Sequence, residues 1–70
     1  MLGVIGLGYV GFTSLLGYSQ YSKNIIGYDV SERLIDDLSS GHLHIYDRDM
    51  YKYFQRTYKD LNLTKNFSDL

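Results

Sequence analysis

The chain contains no cysteine, no proline and no tryptophan. Without cysteine, no disulfide can staple the fold and no thiol chemistry is available. With proline absent, the punctuation of the chain rests on its seven glycines and on Ser, Asn and Asp. Charge is missing from one end: residues 1–22 hold no Asp, Glu, Lys or Arg, and all seven basic and eight acidic residues lie from Lys23 onward. An uncharged run of that length raises a membrane-spanning helix, which needs roughly 20 apolar residues. Five glycines with Thr13, Ser14, Ser19, Gln20 and Ser22 make this run too polar and too breakable for that role. The run also lacks the basic start and small-residue cleavage pattern of a secretory signal. The expectation is a soluble, cytoplasmic protein with no membrane partner. A net charge of −1 argues against a general phosphate-backbone binder, so no nucleic-acid partner is expected.

What is present describes a folded chain. Hydrophobic residues make up 44% of the 70 positions, with eight tyrosines and three phenylalanines, a composition that disordered segments do not reach. The length allows at most one small domain. A chain of this size buries only about 60% of its unfolded surface, and without disulfides or metal its stability is marginal.

The most informative stretch is Gly6-Leu7-Gly8-Tyr9-Val10-Gly11, between the apolar run ending at Ile5 and a helix-compatible segment, with Asp29 placed 18 residues after Gly11 at the end of a second apolar run. Each part answers a requirement of dinucleotide binding. Gly6 permits a tight turn out of a strand, Gly8 lets the backbone approach a pyrophosphate, and Gly11 lets the helix pack close to the strand. The acid meets the adenosine ribose hydroxyls. A lone GxGxxG is weak, but a strand before it, a helix after it and an acid at this distance make the signal strong. The bland readings are a structural turn for the glycines and a capping or solvated carboxylate for Asp29.

Along the chain, Met1 to Ile5 reads as a short buried strand and Tyr9 to about Tyr21 as a helix with Gly8 at its N-cap. No Ser, Thr, Asp or Asn stands there to accept the free amides of the first turn, a role that a bound phosphate could fill. The apolar residues Val10, Phe12, Leu15, Leu16, Tyr18 and Tyr21 spread around most of this helix, which therefore expects cover on more than one side. Gly17 inside it costs about 1 kcal/mol relative to Ala, in exchange for close packing on this reading. Asn24 reads as the residue that ends the helix, and Ile25 to Tyr28 as a second strand. Two strands joined by a helix make a βαβ unit with parallel strands. Ser31 can cap a second helix bearing Leu34, Ile35 and Leu38, with Gly41 just past its end. Residues 42–48 read as a loop. Asp47 or Asp49 can cap a third helix with Met50, Tyr53, Phe54 and Tyr58 on one face, Leu61 to Thr64 alternates as a third strand would, and Ser68-Asp69 reads as the start of another helix. The fold class expected is α/β, an incomplete Rossmann-type doubly wound parallel sheet. A parallel sheet needs cover on both faces, so residues 1–70 are read as the N-terminal part of a dinucleotide-binding domain.

Val4-Ile5-Gly6-Leu7-Gly8-Tyr9-Val10-Gly11, Ile26-Gly27-Tyr28-Asp29, Leu38-Ser39-Ser40-Gly41 and Ile45-Tyr46-Asp47 together resemble the N-terminal end of the UDP-glucose/GDP-mannose dehydrogenase family. The resemblance spans essentially all 70 residues but only the first small part of a much longer enzyme. It implies an NAD-dependent oxidoreductase that takes the C6 hydroxyl of a nucleotide sugar to a carboxylate, using two NAD molecules in succession and a downstream catalytic cysteine. It also implies a homodimeric parent enzyme. With no cysteine, this chain holds no catalytic residue for that route. What carries over is the cofactor half-site: Gly6, Leu7, Gly8, Tyr9, Val10 and Gly11 around the pyrophosphate, and Asp29 on the ribose, its charge favouring NAD over NADP. The family's basic residue five positions after the acid is replaced by Leu34, with Arg33 beside it as the candidate substitute. The family's Ser-Pro pair before the Ile-Tyr element is replaced by Leu43-His44, which implies a differently shaped loop.

Other groupings carry less. His42, His44, Asp47 and Asp49 match no specific metal spacing, and capping and loop solvation explain them. Asp36-Asp37 reads as a solvated helix face, since adjacent helical residues point about 100° apart. The tyrosines Tyr46, Tyr51, Tyr53 and Tyr58 lack the basic stripe of a nucleic-acid stacking surface and read as packing. Two functions compete with the enzyme: a stand-alone nucleotide-binding or regulatory module, and another Rossmann dehydrogenase of hydroxyacid or 6-phosphogluconate type.

Overall fold

In a computed structural model describing residues 2–70, Leu2–Ile5 forms the strand β1, Tyr9–Ser19 the helix α1 and Ile25–Tyr28 the strand β2. Glu32–Ser39 forms α2, Arg48–Thr57 forms α3, and Leu63–Thr64 forms a short β3. Single 3-10 turns occupy Tyr58–Asp60 and Phe67–Asp69. The three strands make one parallel sheet in the order β1-β2-β3, with Leu2 opposite Ile25, Ile5 opposite Tyr28, and Gly27 opposite Leu63. This is the expected α/β architecture, with the βαβ unit at its centre. Met1, the first residue of the expected opening strand, lies outside the described residues.

Period-2 alternation sends Val4, Ile25 and Gly27 to one face of the sheet and Gly3, Ile5, Ile26 and Tyr28 to the other. All three helices gather on the first face. Phe12, Leu15 and Leu16 of α1, Ile35 and Leu38 of α2, and Phe54 of α3 form one buried core with Leu7 and Ile25. Gly27 is what allows α1 so close: a Cβ there would stand 2.8 Å from the Leu15 side chain and 3.3 Å from that of Leu7. Among the described residues, the second face receives the C-terminal segment Phe67–Leu70, through an edge-to-face contact of Phe67 with Tyr28 and the approach of Leu70 to Gly3. Ile5 stays 63% exposed there, and Val10 on α1 and Tyr21 just past its end remain 77% and 87% exposed. The breadth of apolar sequence on α1 thus exceeds the cover that the described residues supply.

Local chemistry sets the ends of α2 and α3. The Ser31 hydroxyl accepts the Leu34 amide, and the Asp47 carboxylate accepts the Met50 amide, so Asp47 rather than Asp49 is the cap. At the other end of α2, Gly41 takes φ +88°, and the amides of Gly41 and His42 return to the carbonyls of Leu38 and Asp37, closing the helix as glycine past a C-terminus does.

Four expectations are corrected. The first helix ends at Ser19, short of Tyr21, because the amides of Tyr21 and Ser22 both turn back onto the Tyr18 carbonyl; the chain leaves through Ser22, whose hydroxyl accepts the Asn24 amide. Asn24 instead supplies its carbonyl to the Leu2 amide at the foot of the sheet. The third strand is only Leu63–Thr64, since the Asn62 side chain ties itself to the carbonyls of Lys23 and Ile25 while its own carbonyl accepts the Gly27 amide. Finally, Gly17 makes no close packing contact: a Cβ there meets nothing within 4 Å among the described residues. Gly17→Ala is therefore expected to stabilise the protein by roughly 0.5–1 kcal/mol, the helix-propensity gain without a steric cost. Urea unfolding of the two proteins measures it, and a loss of stability would reveal a partner against that face.

Candidate functional site

The site forms where β1 and β2 end side by side. Their register brings Ile5 beside Tyr28, and the Gly6 amide extends the ladder by one more bond to the Tyr28 carbonyl at 2.8 Å. Gly6 then turns the chain with φ +86°, a conformation that costs glycine nothing. The helix α1 starts two residues later with Gly8 as its N-cap, extended and without a side-chain cap. The first helical bond runs from the Phe12 amide to the Gly8 carbonyl, so the amides of the turn before it have no helical partner. They face the loop mouth at the positive end of the helix dipole, an arrangement suited to an anion.

Gly8 and Gly11 are needed for opposite reasons. A Cβ on Gly11 would lie 1.9 Å from the Gly6 carbonyl oxygen, so only glycine allows the helix to pass this close to the turn. A Cβ on Gly8 would meet nothing within 4 Å: the space before it is open to a ligand. Between them, Tyr9 and Val10 expose their side chains and contribute backbone, whereas the Leu7 side chain is fully buried as the loop's anchor.

Asp29 is brought directly to this loop. One carboxylate oxygen accepts the Leu7 amide at 2.8 Å and the other accepts the Ser31 amide at 2.9 Å. Both the loop-binding and the turn-forming uses of this residue are therefore present together, and the helix cap itself is Ser31. The Leu7 amide, then the Ser31 amide, hold the Asp29 carboxyl below its ordinary value of 3.8, with a smaller contribution from His44 and against the upward push of burial. Each carboxylate oxygen has room for a second donor, so two acceptor positions remain for ligand hydroxyls.

Arg33 lies on the outer surface of α2, its side chain 92% exposed and 4.0 Å from Asp37 one turn on. No hydrogen bond or ion pair among the described residues joins it to the glycine loop. Asp36 likewise faces solvent and pairs with Lys65 at 2.6 Å. Among the described residues no three His, Asp or Glu side chains gather as a metal site. His44 instead sits against the glycine loop, its Nε2 hydrogen-bonded to the Leu7 carbonyl at 2.6 Å and its ring edge-on to Phe12 at 5.2 Å. Sequence reasoning placed His44 in an unassigned loop; a contact across 37 residues leaves no local signal. A concave pocket of ≈ 340 Å³, lined by Leu43, Ile45, Tyr46, Asp47, Arg48 and Tyr51, contains no glycine-loop residue. No helix among the described residues is long and apolar enough to cross a membrane.

A parallel strand, a glycine turn, a helix N-terminus and an acid at the end of the neighbouring strand define the nucleotide-binding unit of a Rossmann-type protein. The description of the UDP-glucose/GDP-mannose dehydrogenase family, NAD binding domain, matches residues 1–69, and the chain belongs to this family, whose domain cofactor is NAD. Similar proteins include the UDP-N-acetyl-D-mannosamine dehydrogenase of Escherichia coli strain K12, 33% identical over 70% of this chain and 12% of the relative. Another is the NDP-N-acetyl-D-galactosaminuronic acid dehydrogenase of Ralstonia nicotianae, 29% identical over the same shares. The solved structure of a UDP-D-ManNAc dehydrogenase from Pyrococcus horikoshii aligns with a TM-score of 0.84 at 25% identity, covering 99% of this chain and 17% of that one. The chain thus spans about an eighth of the length of the curated relatives it matches.

Two outcomes follow from the geometry. Gly11→Ala is expected to destabilise the protein by roughly 1–3 kcal/mol or more, as forced overpacking does, read as a lowered thermal midpoint. Because the Asp29 carboxyl titrates lower in the folded chain than in the unfolded one, its stabilisation is present above about pH 4 and lost as pH falls through the lower folded value. Asp29→Asn should therefore lower stability at neutral pH and flatten its decline below about pH 4, measured as thermal midpoint against pH.

Proposed function

We propose that Gly6, Leu7, Gly8, Tyr9, Val10 and Gly11 with Asp29 form the adenosine and pyrophosphate half-site for NAD in a nucleotide-sugar dehydrogenase. The observation that carries this reading is the bond from the Leu7 amide to the Asp29 carboxylate. It holds a ribose acceptor beside the open helix N-terminus where a phosphate is best received. The residues fit the group: the space before Gly8 is free, and the first-turn amides of α1 lack a side-chain cap. Tyr9 and Val10 donate backbone amides to the pyrophosphate, and Asp29 accepts the ribose hydroxyls with its two unused positions. Its negative charge opposes a 2′-phosphate, which selects NAD over NADP. Arg33 assists at the adenosine end; its exposed pair with Asp37 is of a kind worth only about 0.2–1 kcal/mol, so releasing it costs little.

When bound, NAD supplies the hydride acceptor for oxidation of a sugar C6 hydroxyl towards the carboxylate. The task of these 70 residues is to bind and orient it, while the groups that handle the sugar lie outside them. The similarity to UDP-N-acetyl-D-mannosamine and NDP-N-acetyl-D-galactosaminuronic acid dehydrogenases favours a UDP-N-acetylhexosamine as substrate over UDP-glucose. The sheet face at Ile5, with Val10 on α1 and Tyr21 just past its end, all exposed here, supports the reading that residues 1–70 are part of a larger nucleotide-binding domain.

The test uses the protein as its gene encodes it. Titration with NAD and NADP should show preference for NAD. Gly8→Ala should weaken NAD binding by about tenfold or more while leaving the thermal midpoint unchanged, because its methyl enters ligand space and touches no protein atom. NADH formation should follow addition of a UDP-N-acetylhexosamine. Unchanged NAD affinity in Gly8→Ala would sink the reading.

A further inference from the structure

We propose that His44 is a positioning residue for the dinucleotide, aiming the Gly8 amide at the pyrophosphate by holding the Leu7 carbonyl. The proposal rests on the NAD reading above and extends it to a residue outside the glycine motif.

A carbonyl oxygen can only accept, so His44 donates, and Nε2 carries the hydrogen. The imidazole is steadied by its edge-to-face contact with Phe12 in the first turn of α1. The peptide bond is planar and trans, so the carbonyl of one residue and the amide of the next point in opposite directions. Drawing the Leu7 carbonyl towards His44 therefore turns the Gly8 amide away from it, with no acceptor among the described residues. The preceding peptide obeys the same rule. Asp29 draws the Leu7 amide to one side, and the Gly6 carbonyl consequently points to the other, where it lies against Gly11. Two side chains, 22 and 37 residues downstream of Leu7, thus set two successive peptide planes of the loop, while the buried Leu7 side chain fixes the hinge between them.

Water can satisfy the Leu7 carbonyl if His44 is removed, but water does not fix its direction. The effect should therefore fall on ligand affinity more than on folding. The full protein is compared with His44→Ala, His44→Phe and His44→Gln. Phenylalanine keeps a ring for Phe12 without a donor, and glutamine offers an amide donor without the ring. Alanine and phenylalanine should each weaken NAD binding about three- to tenfold, the range that one hydrogen bond commands, with little change in thermal midpoint. Glutamine should restore at least half of the lost binding free energy. The imidazole nitrogen shifts of the wild-type protein should report a hydrogen on Nε2, and the Gly8 amide resonance should move in His44→Phe. Should Gly8→Ala abolish binding while His44→Ala and His44→Phe stay within twofold of wild type, the His44 proposal falls and the NAD half-site stands. A wild-type protein that binds no dinucleotide overturns both.

Discussion

The carboxylate of Asp29 and the amide of Leu7 are 22 residues apart in sequence and 2.8 Å apart in space, a meeting that requires most of the fold to be in place first. The strands β1 and β2 must run parallel in the register that sets Ile5 beside Tyr28, and α1 must fill the crossover between them. A slip of one residue would turn every side chain of a strand to the opposite face and carry Asp29 away from the loop. The bond in turn fixes the direction in which the chain enters α1. Both the shape of the glycine loop and the charge beside it therefore descend from strand register.

Close approach is the second constraint. Gly27 lets Leu15 and Leu7 settle onto β2, and Gly11 lets the start of α1 pass the Gly6 carbonyl. Interiors packed at crystal-like density tolerate little change in volume, so these two glycines belong to the architecture. Gly8 differs, since nothing in the protein occupies the space that it leaves. Three glycines of one short motif thus divide into a backbone turn, a helix contact and an open ligand face, and only the last can be altered without disturbing the core.

Features governed by short-range chemistry were legible in the sequence. The glycine turn, the Ser31 and Asp47 caps and the Gly41 stop all act within a few residues of where they stand, and the structure shows each in that place. Asp47 and Asp49 could not be separated beforehand, because both are good capping residues and only the entry direction of the loop decides. The end of α1 was overrun because Gln20 and Tyr21 do not oppose a helix; the break comes from amides folding back on Tyr18. The extent of β3 depended on where the Asn62 side chain would anchor. His44 was invisible for the same reason that long contacts generally are: no periodicity links residue 44 to residue 7.

The free edge of β1 has a consequence for folding. No strand among the described residues pairs with its outer side, although Ile5 and its neighbours are apolar and the backbone groups along it are unused. Such an edge is a template for any extended chain that reaches it. The contacts of β1 with β2 and α1 are local enough to form early. A βαβ unit assembled early presents a sticky margin to other chains that are still folding. The uncharged first 22 residues offer no repelling side chain to keep them apart. Early pairing or covering of this margin therefore protects the scaffold of the glycine loop from mispairing.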